Sequence, residues 1–206
     1  MEGRIILSSK DSKDSKKERI LEVALKLFSQ KGFHATTTKE IANECGVAEG
    51  LIFYYFGDKR KLLLHIVTNF SFALRIQESE LQLTQHTLEE ALVAYGLKYL
   101  QFLKDNMDYI ILIWSPEMIQ DEEVSQEVRQ LIESIGAIGG NLLKDGLPAK
   151  EPLSESTYEV AITTMTSSIL IYFIINARYG RSIHSLDAEA YIHELVRLLL
   201  HGLERK

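Results

Sequence analysis

The chain has 206 residues, 46% hydrophobic and 25% charged, enough for one large or two smaller packed domains and too apolar for a disordered chain. With three prolines and no stretch of strand-like alternation between turn signals, a mainly β architecture is excluded. The formal net charge of −6 hides an asymmetry: residues 1–61 hold twelve Lys or Arg against nine Asp or Glu, the remainder eleven against twenty. A mildly basic N-terminal part on an acidic body fits a chain whose first part alone meets phosphates.

In chain order, residues 1–14 are expected to form a flexible polar arm, with Lys10, Asp11, Ser12, Lys13 and Asp14 offering nothing to bury. No apolar run of signal-peptide type opens the chain, so the expected compartment is the cytoplasm. From about Ser15 the pattern is helical: Ile20, Val23, Ala24, Leu27 and Phe28 form one apolar stripe, and Gly32 ends it. Thr36, Thr37 and Thr38 then offer N-caps, with Glu40 in capping-box spacing after Thr37. A short helix burying Ile41, Ala42 and Cys45 follows and stops at Gly46. A second short helix begins after Val47. Its inward set is Ile52, Tyr55 and Phe56, while Glu49, Gly50, Phe53 and Tyr54 point the other way. Gly57 and Asp58 provide a stop and a new N-cap, and a longer helix is expected from Lys59 through Leu62, Leu63, Ile66 and Phe70 to about Ser79.

Two short helices across a glycine turn, buttressed by a third, make a helix-turn-helix. In such a unit the second short helix is held from behind while its outer face enters the major groove. Exposed Phe53 and Tyr54 suit that role, an aromatic edge against a thymine methyl and a hydroxyl on phosphate.

The remaining pattern is helical: about 87–104, 107–114, 122–143, 155–179 and 187–203, nine helices in all, with a break at Ser115-Pro116 and a loop over 144–153. The fold class is therefore all-α, with an arm over 1–14, a three-helix DNA-binding domain over 15–61 and a helical ligand-binding and dimerisation domain over 62–206. Residues 160–177 are eighteen positions without a formal charge, at the lower edge of membrane-spanning length. Thr163, Thr164, Thr166, Ser167 and Ser168 crowd that stretch, so a helix buried in a core or a subunit seam is expected and no membrane partner.

Aromatic and pliable side chains gather in this second part: Tyr95, Tyr99, Phe102, Met107, Tyr109, Trp114 and Met118, then Tyr172, Phe173 and Asn176. They are ordinary core or the walls of a pocket for an apolar or amphipathic small molecule. His193-Glu194 and the scattered His65, His86, His184 and His201 match no catalytic or metal-binding motif, and the lone Cys45 allows no internal disulfide. The expectation is a non-enzyme without metal or cofactor.

The run Ile20 to Phe33 (Ile-Leu-x-x-Ala-x-x-Leu-Phe-x-x-x-Gly-Phe), then Thr36 to Ala42, Cys45-Gly46-Val47, and Gly50 to Phe56 with Asp58-Lys59, closely resembles the DNA-binding domain of the tetracycline-repressor-like (TetR/AcrR) regulators. The resemblance implies a sequence-specific transcriptional repressor acting as a homodimer on a palindromic double-stranded operator. It further implies an operator affinity changed by a small effector; a regulator that binds DNA constitutively is the alternative. It implies that Thr37 and Thr38 bind phosphate by hydroxyl and backbone N–H, with Lys39 either adding charge or solvated. Gly50 and Leu51 lie against base edges, Tyr54 and Tyr55 form an aromatic pair of which one reaches phosphate, and Lys59 binds phosphate. Where relatives often carry a polar or basic pair, this chain has Ala48-Glu49. Glu49 either accepts from a cytosine amino group or is a helix-N-terminal acid favoured by the dipole. Ile169, Leu195 and Leu199 are the expected members of a dimer seam between the last two helices of each protomer.

Overall fold

The computed structural model describes residues 12–69, 87–147, 153–180 and 185–204. These residues form ten helices and no strand: α1 Ser12–Lys31, α2 Thr38–Cys45, α3 Glu49–Phe56, α4 Lys59–Thr68, α5 Leu88–Asp105, α6 Met107–Ile113, α7 Pro116–Ile119, α8 Glu122–Gly146, α9 Glu155–Tyr179 and α10 Ala188–Glu204. The tenth is α7, a single turn where only a break was expected. Pro116 occupies its first position, where a missing N–H costs nothing, and Ser115 caps it by accepting from the Met118 N–H. Two other boundaries move. α1 begins three residues inside the expected arm, and α8 runs on through Lys144 to Gly146, helix where a loop was expected. Gly136, Gly139 and Gly140 do not interrupt it. The expected extension of α4 past Asn69, with Phe70, lies outside the described residues, as do residues 1–11, His86 and His184.

The chain divides into two compact units, Met1–Ser71 with Asp105–Leu131, and Phe72–Lys104 with Ile132–Lys206. Unit 1 thus holds α1 to α4, α6, α7 and the start of α8, a larger assembly than the expected 15–61 domain. Its core is built from Ile20, Ala24, Phe28, Ile41, Ile52, Leu62, Leu63 and Ile66, all essentially withdrawn from solvent. Each such isoleucine, leucine or phenylalanine side chain contributes roughly 1.5–3 kcal/mol on burial. Tyr109 and Met118 of α6 and α7 are buried here too, and the Tyr109 hydroxyl lies 3.4 Å from the Val67 carbonyl. Burial pushes the Tyr109 phenol up.

Unit 2 packs α5, the later part of α8, α9 and α10. Its helices approach closely over two glycines. A Cβ on Gly96 would stand 2.8 Å from Ile192 Cγ2 and 2.9 Å from Met165 Cε, and one on Gly139 would stand 2.9 Å from Ile162 Cδ1. The fully buried Tyr95 donates its hydroxyl to the Ile135 carbonyl at 2.8 Å. The Tyr99 phenol, buried nearby on α5, is pushed up to about 12. By length and composition α9 could cross a membrane. Within unit 2, however, Ala161, Ile162, Met165, Ile169, Tyr172 and Phe173 form a buried face along it.

Candidate nucleic-acid interface

α2 and α3 are joined by a turn whose geometry follows from one residue. Gly46 has φ 68°, a left-handed conformation that a side chain would oppose, and the Val47 N–H returns to the Ala42 carbonyl at 2.9 Å. The Thr37 hydroxyl caps α2 by accepting from the Glu40 N–H at 3.1 Å. The Glu40 carboxylate pairs with Lys31 and also feels the Thr37 backbone N–H, the reciprocal half of the expected capping box. That lysine holds the Glu40 carboxyl below its usual range. The N–H groups of Thr38 and Lys39 belong to the first turn, which helical geometry leaves without helical acceptors and with a favourable dipole for an anion.

α3 presents two unlike faces. Ile52 and Phe56 are buried against unit 1, whereas Phe53 is 47% and Tyr54 68% exposed. Tyr55 is half-buried and meets Tyr54 edge-on at 5.3 Å between centroids. Gly50 is exposed and Leu51 half-buried. Phe53 and Tyr54 thus place large aromatic side chains on the solvent face of an eight-residue helix, and that face is the one available to a groove.

Two of the sequence-identified residues have partners that local spacing could not reveal. The Thr38 hydroxyl donates to Glu49 Oε1 at 2.6 Å, tying the first residue of α2 to the first residue of α3. Lys59, expected on phosphate, points back into the protein. Its Nζ donates to the carbonyls of Phe33 and Thr36, both at 2.8 Å, and lies 4.4 Å from the Phe33 ring centroid. Desolvation lowers its pKa. Lys59 therefore fastens the turn between α1 and α2, where Thr36 is fully buried and donates to the Gly32 carbonyl at 2.9 Å. Lys39 is exposed.

Sequence reasoning missed a second set of residues, because they come from the part assigned to the body. Glu117 accepts from the Phe33 N–H at 2.8 Å, and Asp108 accepts from the Ser29 hydroxyl at 2.8 Å. Arg60 grips Asp121 with both terminal nitrogens and reaches Glu123 at 3.0 Å. Asp121 in turn caps α8 through the Val124 N–H. The only sequence signal was a coarse one, acidic residues at 117 and 121–123 matching the basic run at 59–61.

The expected pocket residues divide between the units. Met107, Tyr109, Trp114 and Met118 belong to unit 1, where Met107 and Trp114 stand exposed on the outer face of α6 with Ile111. Tyr95, Tyr99, Phe102, Tyr172, Phe173 and Asn176 belong to unit 2. There Tyr172 stacks on Tyr191 at 4.5 Å, and Asn176 Oδ1 is shielded from solvent with no hydrogen-bond donor among the described residues. Of the expected seam residues, Leu195 and Leu199 are half-buried, but Ile169 is 0% exposed, packed beside Gly96. Ile169 is core of the protomer and has no surface to offer a seam. The large hydrophobic residues that α9 and α10 do expose are Val160, Ile171, Ile174, Tyr179 and Leu198.

Residues 20–66 match the family model of bacterial regulatory proteins of the tetR family. The chain is 27% identical over 197 residues to the uncharacterized HTH-type transcriptional regulator YerO of Bacillus subtilis, covering 93% of this chain and 67% of the relative. Among solved structures, the fatty acid degradation regulator FadR of Bacillus halodurans superposes with a TM-score of 0.69 at 19% identity, covering 97% of this chain and all of that one. FadR from Bacillus subtilis, solved in complex with stearoyl-CoA, gives 0.69 at 20% identity over 90% of this chain and 98% of its own. With the helix-turn-helix geometry and the family match, residues 20–66 form a DNA-binding domain of the tetR type, and the chain shares the fold of FadR along almost its whole length.

Proposed function

We propose that this regulator is a repressor that binds a palindromic operator as a homodimer and changes its affinity for that operator when a small apolar or amphipathic molecule occupies unit 2. The observation that carries the DNA reading is α3 itself, buried through Ile52 and Phe56 and exposing Phe53 and Tyr54 on its opposite face. In this reading Gly50, Leu51, Phe53 and Glu49 meet base edges. Tyr54 or Tyr55 and the first-turn N–H groups of α2 meet phosphate, with the Thr37 side chain and Lys39 beside them. Lys59 acts from behind, holding the turn that sets the start of α2.

The dimer reading is supported by the apolar side chains left outside on α9 and α10, Ile171, Ile174 and Leu198, flanked by half-buried Leu195 and Leu199. A two-fold dimer also supplies two recognition helices at the half-site spacing of about 34–36 Å. The effector reading is supported by the aromatic set of unit 2 and by Asn176, whose buried amide oxygen suits a donor group on an otherwise apolar ligand. A long-chain acyl compound is the first class to test, because a protein of the same fold binds stearoyl-CoA. The regulator would work in the cytoplasm. A ligand that prefers the non-binding conformer by about 3 kcal/mol would weaken operator affinity roughly a hundredfold.

The test is footprinting of the DNA upstream of the protein's own gene, with and without acyl-CoAs and other lipophilic compounds, alongside thermal melts with the same panel. Protection of a palindrome that one compound class abolishes is the expected result. Protection that no compound alters, with no shift in melting, would establish a constitutive binder instead.

A further inference from the structure

Glu49 is the one acidic side chain at the start of the helix that would lie in the groove, where phosphate repulsion disfavours a carboxylate without a donor. The structure gives that carboxylate a fixed attachment, the Thr38 hydroxyl at 2.6 Å from Oε1. A hydroxyl has one proton. While Thr38 spends it on Glu49, its side chain has none for a phosphate, so Thr38 contacts the backbone through its N–H alone. Glu49 Oε2 remains an acceptor.

In the major groove the base-edge donors are the amino groups of cytosine and adenine; guanine and the thymine carbonyl present acceptors, which repel a carboxylate. Adenine also places its N7 acceptor beside the amino group, whereas cytosine has a C–H at the adjoining position. Within its own base, only the cytosine amino group is free of a repelling neighbour.

We infer that Thr38 is a positioning residue that orients Glu49 to read one cytosine in each operator half-site. This rests on the DNA-binding reading above and adds to it the identity of a base. The arrangement converts a liability into discrimination: guanine and thymine offer the carboxylate no donor, adenine offers one beside a repelling N7, and cytosine matches it.

The experiment is selection of duplexes from a randomised DNA library by the full-length protein, followed by titration of the selected duplex and its single-position variants. The unsubstituted protein is expected to select one C·G pair in each half-site, and replacing that pair by T·A should weaken binding about tenfold or more. In Glu49→Ala that penalty should fall below about threefold, with preferences at all other positions unchanged. Thr38→Val should blunt the same penalty while Thr38→Ser restores it, an outcome that a purely structural brace between α2 and α3 would not give. If Glu49→Ala instead tightens binding to all duplexes by one common factor, with every preference intact, the carboxylate is only a repulsive charge and the inference fails. Absence of any selected sequence would overturn the DNA-binding reading itself, and this inference with it. Matching helical circular dichroism across the variants keeps misfolding apart from lost recognition.

Discussion

In unit 1 charged side chains fasten helix ends and turns, Lys59 on the carbonyls of the α1–α2 turn, Glu117 on the Phe33 N–H and Arg60 on the cap of α8. In unit 2 shape carries more of that work, beside the Tyr95–Ile135 hydrogen bond and the Lys144–Glu155 ion pair, with Ile192 and Met165 lying where a Cβ on Gly96 would collide and Ile162 likewise at Gly139. Polar fastening places a few backbone groups accurately at a surface, which is what a reading head requires. Close apolar packing holds helices together without dictating any single polar contact, and it leaves their faces free to vary with whatever the unit binds.

That contrast can be broken or sharpened by substitution. The largest loss is expected for Gly96→Val, which drives two methyl groups into Ile192 and Met165. It should cost about 2–3 kcal/mol in urea unfolding, and adding Ile192→Ala should recover part of the loss if the clash is the cause. Lys59→Met comes next. It leaves the Phe33 and Thr36 carbonyls without their donor, at about 1–3 kcal/mol, and should weaken operator binding because the start of α2 loosens. An equal loss of affinity without any loss of stability would mean that Lys59 swings out to phosphate after all.

A smaller effect, about 1 kcal/mol and reduced by salt, is expected for Asp121→Asn, since Arg60 remains partly exposed in the pair. Its pH dependence has a definite sign. Arg60 holds the Asp121 carboxyl below its usual range, so the folded value lies under the unfolded one. The pair's contribution is therefore fully present above about pH 4 and is lost as pH falls through the folded value. Urea midpoints of the unsubstituted chain and Asp121→Asn should converge on acidification. Smallest in stability is Tyr54→Ala, within about 0.5 kcal/mol because that side chain is 68% exposed, yet it should lower operator affinity several-fold.

The same contrast explains what could be read beforehand. The helix-turn-helix was legible because its signals are local: Thr37 caps Glu40 three residues on, Gly46 turns the chain in place, and Ile52 and Phe56 share a helix face at i, i+4. Lys59 was placed correctly on α4 and misdirected, because its acceptors lie on backbone over twenty residues away, and carbonyls carry no sequence signature. Asp108, Glu117 and Asp121 were unreadable as parts of the head for the same reason. Ile169 was assigned to an outer face because α9 is apolar on most sides, so periodicity could not separate its buried positions from its exposed ones. α7 was missed because four residues are too few to show a period.

The sole sulfhydryl of the chain belongs to Cys45, at the end of α2, 3% exposed, with Sγ 3.8 Å from the Arg19 carbonyl of α1 and its thiol pushed up by burial. An alkylating reagent can meet it only when α1 and α2 part. The rate of its modification is thus a clock on the breathing of the reading head, built into the unaltered protein and silent to any motion confined to unit 2. DNA that rests on α2 and α3 should slow that clock, and a ligand that loosens the head should quicken it.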